Sequence, residues 1–160
     1  MQKILKKTIM FGFLLSLSGC VGAMPEYKSS KSEFIIFKTP KIKYADQGFV
    51  SKADNETKVE IYSSGQALMR LRILKDQVCM SSFACMSKQE FNKKILASSN
   101  YPNTLLENIF NAKPIYNGKN LKKQNGGFSQ NIATIKYKVV GKNISFIDSS
   151  NGVKIVVKGI

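Results

Sequence analysis

Apolar and charged side chains alternate along most of the chain beyond Phe34, and this period of two restricts the fold more than any other property of the sequence. Ile42 and Tyr44 alternate with Lys41 and Lys43, and Val59 and Ile61 with Lys58, Glu60 and Tyr62. Met69, Leu71 and Ile73 alternate with Arg70 and Arg72. Later, Ile135, Tyr137 and Val139 alternate with Thr134, Lys136 and Lys138, and Val153, Ile155 and Val157 with Lys154 and Lys158. Successive strand side chains point to opposite faces, so each run predicts a strand with one apolar and one wet face. Turn chemistry separates the runs at Ser63-Ser64-Gly65-Gln66, Lys75-Asp76, Asn125-Gly126-Gly127, Gly141-Lys142-Asn143 and Ser149-Ser150-Asn151-Gly152. Short connections of this kind predict hairpins, and so an antiparallel meander.

The period turns helical once. Ser87-Lys88-Gln89-Glu90 has the form of a capping box, and Phe91, Ile95 and Leu96 follow at helical spacing to about Ala97. A second short helix is expected near residues 103–111, where Leu105, Leu106, Ile109 and Phe110 form one stripe before Lys113-Pro114 stops it. The order therefore reads about six strands, two short helices, then about four strands, an α+β class.

Two short helices offer little cover for so long a sheet. A strongly curved, mainly antiparallel sheet, an unclosed half-barrel with the two helices inserted mid-chain over its concave face, answers that mismatch and leaves room for an apolar cavity. A fully packed core answers it equally well. The candidate lining is Ile42, Tyr44, Val59, Ile61, Met69, Leu71, Ile73, Ile135, Tyr137 and Val157, with Leu106, Ile109 and Phe110 as a lid.

The amino terminus reads as an address. Lys3, Lys6 and Lys7 precede a short apolar stretch from Ile9, well below the roughly 20 residues that cross a bilayer. The stretch ends in Leu17-Ser18-Gly19-Cys20, which resembles the bacterial lipobox. The resemblance implies cleavage before Cys20, acylation there and a membrane anchor, each buried methylene contributing about 0.8 kcal/mol. Val21 follows rather than an aspartate, which by resemblance to enterobacterial sorting favours the outer membrane, facing the periplasm or the cell exterior. The expected division is a signal peptide over 1–19, a lipidated tether over 20–33 and a single domain over 34–160.

Charge and rare residues narrow the chemistry. The 160 residues hold 25 Lys plus Arg against 10 Asp plus Glu, a formal charge of +15, and no histidine or tryptophan. Without histidine there is no Ser-His-Asp or Cys-His nucleophile system and no His-ligated zinc, and three cysteines cannot make a four-cysteine cage. The acids form no paired cluster and no phosphate-cradling Gly loop is present, so the expectation is a binding protein, not an enzyme, with no cofactor or metal. The lysines on the polar sides of the strands suit either plain solvation or an anionic partner: lipid headgroups, lipopolysaccharide or an acidic protein. An exported address argues against nucleic acid. Cys79 and Cys85 are separated by Met80-Ser81-Ser82-Phe83-Ala84. In an oxidising compartment the pair reads as a structural disulfide, with two buried thiols as the other structural option; the spacing lacks the C-x-x-C form of dithiol oxidoreductases.

Three segments together resemble the LolB family, the outer-membrane receptor that inserts lipoproteins delivered by its soluble relative LolA. Val59-Glu60-Ile61-Tyr62-Ser63-Ser64-Gly65-Gln66-Ala67-Leu68-Met69-Arg70-Leu71 resembles the family's apolar hairpin with a small-residue turn. Tyr101 to Tyr116 resembles its short helix ending in a turn with proline, and 127–158 its closing strands. The resemblance implies an acyl-binding cavity, lipoprotein cargo and a part in lipoprotein localisation. The chain departs from the family in having Ser64 where an exposed leucine precedes the turn glycine, and Ile109 or Phe110 near the usual tryptophan. The alternative from the same residues is a lipid-anchored accessory subunit of an envelope complex that needs only a fixed sheet face and no cavity.

Overall fold

In the computed structural model, which describes residues 25–81 and 83–160, the alternating runs form a single antiparallel, unclosed sheet of eleven strands with two short helices. The first six strands are β1 (Ser29–Lys38), β2 (Lys43–Lys52), β3 (Glu56–Ser63), β4 (Gln66–Leu74), β5 (Gln77–Met80) and β6 (Phe83–Ser87). Helices α1 (Lys88–Lys94) and α2 (Leu105–Phe110) follow, then β7 (Leu121–Gln124), β8 (Gly127–Ile132), β9 (Ile135–Val140), β10 (Asn143–Asp148) and β11 (Val153–Gly159). The expected signal segment, Cys20 and the start of the tether lie outside the described residues.

Neighbouring strands are sequential hairpins with one exception. The spatial order is β6-β5-β4-β3-β2-β1-β11-β10-β9-β8-β7, so the first and last strands meet in the middle, from Glu33 opposite Gly159 to Lys38 opposite Lys154. The helical segment thus connects the two outer edges. Edge strand β7 is exposed throughout and carries Lys122 and Lys123, a charge that discourages further strand pairing.

Three details differ from the sequence expectation. β1 begins at Ser29, ahead of the boundary expected at Phe34, because the polar run Ser29 to Glu33 pairs fully with Gly48 to Lys52 of β2. Five strands follow the helices instead of four, since β7 has no apolar face to announce it. Lys41 and Ile42 lie in the β1–β2 turn, where both backbone N–H groups donate to Thr39 Oγ1 at 3.2 Å.

One continuous core fills the apolar side. Ile35 and Phe37 of β1, Val59 and Ile61 of β3, Leu71 and Ile73 of β4, and Phe146 and Ile155 from the other half join the helix side chains in a single cluster. Ser87 caps α1, its Oγ accepting from Glu90 N at 3.2 Å, and Lys94 closes on Glu90 at 2.6 Å one turn later. Gly48 is compulsory in β2: a Cβ there would lie 2.1 Å from the Glu60 carbonyl oxygen, so only glycine allows β3 this close. At the β6 edge, a disulfide joins Cys79 to Cys85.

Candidate functional site

The residues singled out for a cavity mostly fill the interior. Val59, Ile61, Met69, Leu71 and Ile73 are buried from the β3–β4 side, and Ile135, Tyr137 and Val157 from the β9–β11 side. Leu106, Ile109 and Phe110 of α2 are buried between them, while Ile42 and Tyr44 are only partly buried against the same cluster. Ile73 also borders a polar cleft with Glu107, Asn111 and Lys113.

Helix α2 is fastened from several directions. Asn111 Nδ2 donates to Thr57 Oγ1 of β3 at 3.3 Å, and Tyr137 Oη of β9 donates to the Lys113 carbonyl at 3.0 Å. Gln130 of β8, 1% exposed, accepts from Ile115 N at 2.8 Å and donates to Ile115 O and Lys119 O. Lys88 of α1 reaches Glu107 of α2 at 2.6 Å. Burial holds the Tyr137 phenol well above the ordinary tyrosine range.

A cavity of about 130 Å³ opens at the end of this plug. Its apolar wall includes Phe110, Val157, Val50 and Ile144, so two of the sequence-chosen residues border it. Its polar wall is Lys31 and Glu33 of β1, Lys52 of β2 and Lys142 of the β9–β10 turn. Glu33 is 5% exposed, and its Oε2 is buried with no hydrogen-bond partner among the described residues. Lys52 is held below the usual lysine range by burial and by the charges of Lys31 and Lys113, with Glu33 opposing.

Sequence reasoning passed over this polar wall. Glu33 stands next to the unbroken run Phe34-Ile35-Ile36-Phe37, in which alternation gives no parity. The signal was there to be counted: once Ile35 and Phe37 face inward, Glu33, Lys31 and Ser29 must as well.

The outer face divides in two. On β3 and β4 its cations are neutralised: Arg70 bonds Glu60 at 2.7 Å, Lys58 bonds Glu60 at 2.9 Å, and Arg72 bonds Glu56 at 2.8 Å. Arg70 and Arg72, which alternation puts on the polar side of their strand, are thus spent on buried glutamates. Arg72 is the main reason the Glu56 carboxyl lies below its ordinary range. At Glu60, burial works to raise the pKa, but Lys58 and Arg70 outweigh it. Burial, then the hydrogen bond to Glu56, pushes Tyr27 up to about 12. Across β1, β11, β10 and β9 the pattern reverses. Ile36, Val140, Ile147 and Val156 floor a groove of about 460 Å³ rimmed by Lys138, Lys154 and Lys158, none of them salt-bridged among the described residues.

No known protein family matches the chain, and no curated protein matches it.

Proposed function

We propose that the protein is an outer-membrane-anchored lipoprotein, acylated at Cys20, whose sheet bows around α2 and takes up acyl chains or lipoproteins in place of that helix. The support is one geometrical relation. Thr57 on β3 and Tyr137 on β9 stand five strands apart, about 24 Å in a flat sheet. Yet Thr57 bonds Asn111 while Tyr137 bonds Lys113 and lies 3.5 Å from the Asn108 carbonyl, all within about 8 Å of helix and turn. A half-barrel curvature brings both strands to one short helix. Withdrawing Leu105, Leu106, Ile109 and Phe110 would expose an apolar trough, and burial of a chain there would return about 25 cal/mol per Å². The lipobox and the LolB-like segments agree with this role in lipoprotein localisation.

The test is a reversible lock. Thr57→Cys with Asn111→Cys places a disulfide where a side-chain hydrogen bond now holds α2. The full chain should take up a fluorescent fatty acid, the oxidised lock should abolish uptake, and reductant should restore it. Equal uptake in the locked state rejects displacement of α2.

A second reading draws on the outer groove. Its lysine rim and apolar floor suit a lipid-anchored interaction module that docks an anionic partner with no chain in the interior. That reading predicts partner capture that is unaffected by the lock.

A further inference from the structure

The polar wall of the 130 Å³ cavity has a charge pattern that few ligands match. Three lysines, Lys31, Lys52 and Lys142, give it positive potential, which repels a bare amine. Glu33 in their midst presents a buried oxygen with no partner among the described residues, which disfavours a bare anion and calls for a donor. Gly159, directly opposite Glu33, helps make the space: a Cβ there would lie 3.0 Å from Lys142 Cβ and 3.5 Å from Glu33 Oε2. A volume near 130 Å³ is too small for an acyl chain but suits a polar group of several heavy atoms; a cavity of about 150 Å³ accommodates benzene. The apolar wall of Val50, Phe110, Ile144 and Val157 would face whatever less polar portion follows.

We propose that this cavity binds a zwitterionic aminoethyl phosphate, its ammonium on Glu33 and its phosphate among Lys31, Lys52 and Lys142. The chemistry is that of an ethanolamine phospholipid head or of the free phosphate ester. The assignment deepens the carrier reading and rests on it only for where the acyl tails go. Each ammonium N–H donated to Glu33 satisfies an oxygen that is otherwise buried and idle, and a trimethylammonium head has no such N–H to give.

The test is calorimetric titration of the full chain in detergent with short-chain dihexanoyl lipids bearing ethanolamine, choline or glycerol heads, and with free phosphoethanolamine. The ethanolamine head should bind at least roughly tenfold more tightly than the other two, and Glu33→Gln should erase its advantage over choline. Lys52→Ala should weaken the ethanolamine lipid and free phosphoethanolamine alike. Free phosphoethanolamine binding as tightly as the lipid identifies the soluble ester as the ligand; a much tighter lipid identifies the phospholipid, and either result supports the site. Equal affinity for all heads, a preference that survives Glu33→Gln, or no binding by any head (water alone on Glu33) overturns the proposal. If Glu33→Gln does not fold, the head-group series on the unaltered protein still decides. The α2 lock is a separate experiment, so failure here is distinguishable from failure of chain uptake.

Discussion

The hydroxyl of Tyr101 donates to Oδ2 of Asp148 at 2.6 Å, tying the loop between the helices to the end of β10 across 47 residues of sequence. Asp148 also accepts from Thr134 Oγ1, Ser150 N and Oγ, and Asn151 Nδ2. Burial works to raise its pKa, but the donors, led by Tyr101 and Asn151, outweigh it and hold the carboxyl far below the ordinary range. A carboxylate depressed in the folded state stabilises it at neutral pH, and that stability drains away as pH falls below the unfolded value of about 3.9. Urea titrations should therefore show an acid limb beginning near pH 4, made shallower by Asp148→Asn. Tyr101→Phe should cost about 2 kcal/mol at pH 7, the scale of a buried hydrogen bond to a charge. An unchanged acid limb in Asp148→Asn would remove Asp148 from this account.

Gly48→Ala should be among the most damaging single-methyl additions in the chain. Its Cβ would meet a backbone carbonyl, which cannot swing aside as a side chain can. Chemical denaturation should report a loss on the order of 3 kcal/mol or more. Gly65→Ala meets nothing within 4 Å, and its cost is confined to the strain of φ +79, so it should be milder.

The Cys79–Cys85 bridge closes a short loop on the exposed sheet edge. Reduction should lower stability by about 2 kcal/mol, the entropic value for so short a loop. Amide exchange should accelerate first in β5 and β6 and leave the β1–β11 pairing protected. Uniform acceleration would mean that the edge and the centre unfold as one unit.

The contrast between the halves of the outer face predicts different responses to charge removal. Replacing Lys138, Lys154 and Lys158 by alanine should weaken sedimentation with anionic vesicles by about 1 kcal/mol per lysine at low salt, with little effect on folding. Replacing Arg72 should instead destabilise the fold, because Glu56 is only 6% exposed and would lose its main partner. Equal vesicle binding by the lysine variant would exclude the groove as a docking face.

Much of this architecture was legible in the chain because two devices announce themselves locally. Alternation located β3, β4, β9 and β11, the Ser87 cap located α1, and the stripe from Leu105 to Phe110 located α2. Strand β7 was not legible, since Leu121–Gln124 is exposed on both faces and owes its extended form to its pairing with β8. The cysteine pairing rested on the expected oxidising compartment and stood beside two buried thiols as the alternative; the bond joins Cys79 to Cys85. The Glu33 cavity was hidden for a different reason. It joins β1, β2, the end of α2 and the β9–β10 turn, and no local period reports which distant segments share a wall. Likewise, Arg70 and Arg72 look free in sequence because their glutamates belong to the neighbouring strand.

The meeting of β1 with β11 at the centre of the sheet gives assembly a definite last step. A chain delivered from its amino terminus, by a ribosome or a translocation pore, can zip β1 through β6 while one flank of β1 stays bare. That bare flank, the unpaired backbone of residues 33–38, stays open to passing strands until residues 153–159 arrive. The interval before the seam closes is when the newborn molecule is most exposed to aggregation, and a chaperone would find its opportunity there.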